Sequence, residues 1–203
     1  MKIKNILAAT VVAGALATTG ILGSGAAQAA TPLRAAAPAV TLAELRDAHQ
    51  LTLLQLIDVV RYEVRQEFPS STLMLADGAS PSGPTTDMYK VTDWRFVFNT
   101  NDPTSRIKSL QVVATLAGEI QPPTYYTAPW GGVVSIPDRI GMSPELAYHI
   151  LRTAGHGNAY QYVSLVKPLV ANPQLQYHFS NIRGGCDGFA VNVDDGLVQP
   201  ICG

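Results

Sequence analysis

The chain has 203 residues, a net charge of −1 and only 14% charged residues, and its 14 Lys and Arg are scattered without a cluster. That balance excludes the basic footprint needed to bind a phosphate backbone, and it excludes a polybasic membrane patch. No nucleic-acid partner is expected, whereas a hydrophobic share of 47% is ample for a real core.

Lys2 and Lys4 precede an uncharged apolar run at 6–22, and Ala27-Gln28-Ala29 fits a small-x-small cleavage pattern. Residues 1–29 therefore read as a signal peptide, with export and no stable membrane anchor after cleavage. Residues 30–40, containing "TPLRAAAPA", read as a flexible Ala/Pro tether. Thr41-Leu42-Ala43-Glu44 then fits a capping box. Apolar residues at Leu42, Leu45, Leu53, Leu56, Ile57, Val60 and Val64 form one helical stripe, with Arg61 and Arg65 on the other side. The helix should stop before Pro69, because the residue before proline avoids the α region.

Strands follow. Residues 71–76 predict a strand ending at an Asp77-Gly78 turn, and 79–86, "ASPSGPTT", a loop. The stretch 88–99 holds "WRFVFN", which points Trp94, Phe96 and Phe98 one way and Arg95 and Val97 the other. Residues 109–116 alternate again. Residues 121–136, rich in proline and with Tyr125, Tyr126 and Trp130, read as a connector. Ser143-Pro144-Glu145 starts a second helix, which Gly155-His156-Gly157 ends. Strands are predicted over 160–167, 175–180, 189–193 and, after an Asp194-Asp195-Gly196 turn, 197–201.

The two halves repeat. "WRFVFNTND…LQVVATLAGEIQPP" answers "LQYHFSNIR…FAVNVDDGLVQPI", with Phe98 on Phe179 and Val112 on Val191. The expected fold is α+β: two tandem helix-plus-antiparallel-sheet units, at 41–122 and 143–203, joined by a connector at 123–142, with helices packed on one sheet face. "VNVDDGLV" resembles the end of the last strand of the PepSY module, and "GMSPELAYHIL" is similar to that module's opening helix. The pair of units also resembles the architecture of the secreted β-lactamase inhibitor proteins. The inhibitors' disulfide in each repeat is not reproduced, since the first unit has no cysteine. This resemblance implies non-catalytic binding or inhibition of secreted enzymes, often peptidases.

Chemistry is sparse. An even pair of cysteines in an exported chain points to a disulfide between Cys186 and Cys202. In a hairpin turning at 194–196 the two positions fall nearly opposite each other. A metal pair would need further ligands, and a nucleophilic cysteine would need a histidine partner; free thiols are the other alternative. No G-x-S-x-G, no H-E-x-x-H, no P-loop and no dinucleotide fingerprint occurs. No cofactor, metal or catalytic residue is assigned. His49 and His149 sit on predicted helices, and His156 lies between two glycines.

Function is therefore sought on the sheet face opposite the core. Arg95, Gln111, Thr115, His178 and Asn192 are its candidate binding residues, with Tyr125 and Tyr126 in the connector as anchors. The expectation is a secreted, non-enzymatic binding protein whose partner is another secreted protein, inhibiting or modulating an extracellular hydrolase. A secreted hydrolase assembled from dispersed Asp/Glu and His156 or His178, or a cell-wall interaction module, are the alternatives.

Overall fold

The structure is a computed structural model and describes residues 50–202. The signal peptide, the tether, the Thr41 capping box and His49 lie outside the described residues.

Helix α1 spans Leu53–Glu67. Its cap is Thr52, whose hydroxyl accepts the Gln55 backbone N–H while the Gln55 side chain accepts the Thr52 N–H, a reciprocal capping box. Residue 51 is not helical; its N–H donates to the Leu116 carbonyl at 2.8 Å. The single long stripe expected from residue 42 is thus interrupted before Leu53. Strand β1 follows at Thr72–Ala79, then a short 3₁₀ turn at Met88–Lys90, β2 at Asp93–Asn99, β3 at Ser109–Thr115 and β4 at Thr124–Tyr126. Helix α2 spans Pro144–Thr153, capped by the Ser143 hydroxyl and closed by Gly155 at φ 90°. Strands β5 (Tyr162–Val166), β6 (Gln176–Ser180), β7 (Phe189–Asn192) and β8 (Val198–Pro200) complete the fold.

These strands form one eight-stranded antiparallel sheet in the order β4-β3-β2-β1-β5-β6-β7-β8. That corrects the expectation of two tandem helix-plus-sheet units: the fold is dominated by a single sheet, with two short helices among the described residues. The reason lies in β1. The predicted turn at Asp77-Gly78 does not form, and β1 runs straight through it. Its backbone pairs with β2 on one side and with β5 on the other, from Leu75↔Val166 to Ala79↔Tyr162. A strand with both edges paired leaves no boundary between the halves. Gly78 serves close approach, not a turn. A Cβ there would lie 2.8 Å from the Trp94 ring and 2.7 Å from Val91.

Both helices cover the same sheet face. Leu56, Ile57 and Val60 of α1 and Ala147, Tyr148 and Leu151 of α2 share one apolar core with Trp94, Phe96, Phe98, Tyr177 and Phe179. Burial of these large side chains is the main stabilising term, at about 25 cal/mol per Å² of apolar surface removed from water. Arg61 departs from its expected place on the polar side. It is buried, and its guanidinium donates to the carbonyls of Ile136, Pro137 and Asp138 at 3.3, 2.7 and 2.9 Å. Arg65 adds an ion pair to Asp138 at 2.7 Å. The connector is thereby fastened to α1, and Ile136 is threaded into the core.

Candidate functional site

Strand alternation leaves the second sheet face free of helices. Pairing across the strands fixes its layout. One row runs across seven strands: Val113, Arg95, Asp77, Ser164, His178, Ala190, Gln199. The next row reads Thr124, Gln111, Val97, Leu75, Val166, Gln176, Asn192. On the other side lie Thr115, Asp93, Ala79, Tyr162 and Ser180.

Asp77 is at the centre of this face, where β1 meets β5. Its side chain is 3% exposed. Oδ2 accepts from Arg95 at 2.8 Å and also from Arg183, and Oδ1 accepts from the Ser164 hydroxyl at 2.9 Å. Three donors, two of them charged, are what a buried carboxylate requires. Arg183 arrives from the loop between β6 and β7 and lies over the Tyr162 ring, 4.8 Å from its centroid. Neither arginine is submerged: their side chains are 30% and 41% exposed. Arg95 Nε has no hydrogen-bond partner among the described residues.

The Arg183 loop is itself braced. The Asp187 carboxylate accepts the backbone N–H groups of Asn181 and Ile182, and Gly188 packs where a Cβ would strike the Phe179 carbonyl. Cys186 and Cys202 form a disulfide with a Cα–Cα distance of 5.2 Å, which ties this loop to the chain just after β8.

A second polar chain lies on the β6 side. The His178 Nε2 meets Gln176 Oε1 at 2.9 Å, and Gln176 Nε2 donates to Asn192 Oδ1 at 2.9 Å. Burial disfavours the imidazolium and lowers the His178 pKa to about 4.

The structure brings Arg95, Gln111, Thr115, His178 and Asn192 onto one face, but Asn192 is buried beneath it and bonded to Gln176. It splits the two connector tyrosines. Tyr126 is opposite Ser109 and stays on the open face. Tyr125 is opposite Leu110 on the helix-covered side, where its hydroxyl donates to Glu67 at 3.3 Å and its ring packs 6.1 Å from Phe68. Partial burial, then the Glu67 charge, push its phenol pKa up. Trp130 is held beside the open face, because its N–H donates to the Asn99 side chain at 2.7 Å and its carbonyl accepts from it at 3.0 Å.

Asp77, Ser164 and Arg183 form the cluster at the middle of this candidate site, and sequence reasoning missed them. Asp77 was hidden in a turn signal, and Arg183 in a loop with no periodicity. The usable signal was an acid inside an apolar strand, which demands partners.

Three histidines lie among the described residues, and their rings meet other groups. His156 stacks on Phe189 at 3.8 Å, His149 approaches Arg152 at 3.5 Å, and His178 bonds Gln176. None hydrogen-bonds a carboxylate or hydroxyl through its ring. Two depressions, of about 260 Å³ beside Arg61 and Tyr62 and about 560 Å³ beside Asp87 and Tyr89, contain no histidine. No family model matches the chain, and no curated protein or solved structure matches it either.

Proposed function

We propose that the chain is an exported binding protein that acts without catalysis and seats a protein partner on its open sheet face. One observation carries this reading: on the face opposite the helices the buried Asp77 carboxylate holds the Arg95 and Arg183 guanidinium groups, whose side chains are partly exposed. A face meant only for solvent has no need of a buried carboxylate at its middle. The arrangement holds guanidinium groups rigidly at the surface, and arginine and tyrosine are what interfaces use as anchors. Tyr126, Tyr162 and the segment at Trp130 flank it.

Export agrees with the apolar leader at 6–22 and with the disulfide, which an oxidising compartment preserves. The resemblance of "VNVDDGLV" to the PepSY module points to the same kind of activity, inhibition or modulation of a secreted enzyme. Steric occlusion would be the mechanism.

The test is capture from culture medium with the oxidised protein and with Arg95→Glu, read by mass spectrometry. The reading expects one stoichiometric enzyme that binds the parent protein, is inhibited on mixing, and is lost with Arg95→Glu. Equal capture by both proteins would remove the open face from the account.

A further inference from the structure

Resting on that reading, we infer that the centre of the open face receives a carboxylate from an acidic loop of the protein partner. The seam of β1 and β5 carries two guanidiniums against a single carboxylate. Asp77 is already saturated by Arg95, Arg183 and Ser164, and it is closed to solvent. Each arginine spends one nitrogen on it. A guanidinium has five N–H donors in a planar fork, so both keep donors for a second acceptor. Asp77 thus acts as a positioning residue that fixes two forks side by side.

The surrounding charges agree. Asp93 lies two positions from Arg95 on the same face but forms no ion pair with it among the described residues. Asp187 is turned to the backbone N–H groups of its own loop. His178, two strands from Asp77 in the same row, is kept neutral by burial and adds no charge there. The Arg95 and Arg183 side chains are partly exposed, so part of each guanidinium group faces solvent. In the next row Val97 and Val166 are buried, and Leu75 between them is partly exposed. Because the partner is proposed to be a protein, the acceptor that suits these two guanidinium groups is the carboxylate of an Asp or Glu side chain on it.

Short random peptides displayed on phage, selected against the oxidised protein, supply the probe. Hydroxyl-radical footprinting of Tyr126 and Tyr162 shows whether a selected peptide lies on the open face. The inference expects such peptides to contain Asp or Glu and to weaken by about tenfold or more when that residue is made Asn or Gln. The combined variant Arg95→Gln, Arg183→Gln, Asp77→Asn leaves no buried charge unpaired. It should lower the affinity of the acidic peptide as much as the peptide substitution does, with no further loss when both are changed. The peptide substitution needs no protein variant, so the test survives a variant that does not fold. Peptides that protect the two tyrosines yet tolerate neutralisation would overturn the carboxylate and leave the platform standing. No selected peptides, or peptides that protect only the helix side, would overturn both.

Discussion

Lowering the pH should weaken the fold through one imidazole. His178 is pushed down from 6.5 to about 4 by burial on the sheet. In the unfolded chain it titrates at its ordinary value, so the unfolded state takes the proton first. The stability from the neutral ring is complete above pH 6.5 and falls as the pH approaches 4. At about 1.36 kcal/mol per pH unit, that interval sets a ceiling of about 3 kcal/mol. The His178 side chain is only partly enclosed, and water at its edge brings the expected loss to about 2 kcal/mol. The carboxyls of Asp102 and Asp138 do not interfere. Hydrogen bonds from Thr104 and from Arg65 hold them below 3.8, so their contribution is lost only in stronger acid. The assay is urea unfolding at intervals from pH 7.5 to 4.2, on the parent protein and on His178→Gln, which still offers a hydrogen bond to Gln176. The parent should lose about 2 kcal/mol more than the variant between pH 7 and 4.5. Parallel curves would refute the assignment.

Other substitutions test the architecture. Cys202→Ser should cost about 3 kcal/mol by loop-closure entropy over 16 residues, seen as a lower guanidinium midpoint under oxidising conditions. Gly78→Ala should cost about 1–3 kcal/mol, because Trp94 and Val91 occupy the space; a thermal melt measures it, and an unchanged Tm would contradict the close approach. Arg95→Ala and Arg183→Ala should each cost about 1 kcal/mol, since the other arginine still pairs Asp77. Together they should cost more than their sum, because a buried carboxylate is then left unpaired; simple additivity in a double-mutant cycle would argue against a shared site.

Much of the local structure was legible in the residues. The alternation of "WRFVFN" placed Trp94, Phe96 and Phe98 inward, and Ser143-Pro144-Glu145 marked the start of α2. The global arrangement was not. Asp77-Gly78 has the chemistry of a turn, and nothing local reveals that Trp94 needs the glycine or that Arg95, Ser164 and Arg183 await the acid. These partners lie 18, 87 and 106 residues away, so only the closed sheet brings them together. Thr52-x-x-Gln55 was readable as a helix start but was masked by the similar signal at Thr41. Arg61 was misplaced for a comparable reason: periodicity assigns a face, but cannot show that the carbonyls of 136–138 will cross that face. Tyr125 and Tyr126 are adjacent in sequence, and only the pairing of β4 with β3 sends them to opposite sides.

The central claim is that the open sheet face, not the helical side, meets the partner. Hydroxyl-radical footprinting of the captured complex tests it most directly, since oxidisable side chains report both sides at once. The account predicts protection of Tyr126 and Tyr162 on the open face, with Tyr62 of α1 and Leu146 of α2 reacting as in the free protein. Protection of Tyr62 and Leu146 with Tyr126 and Tyr162 unchanged would contradict it.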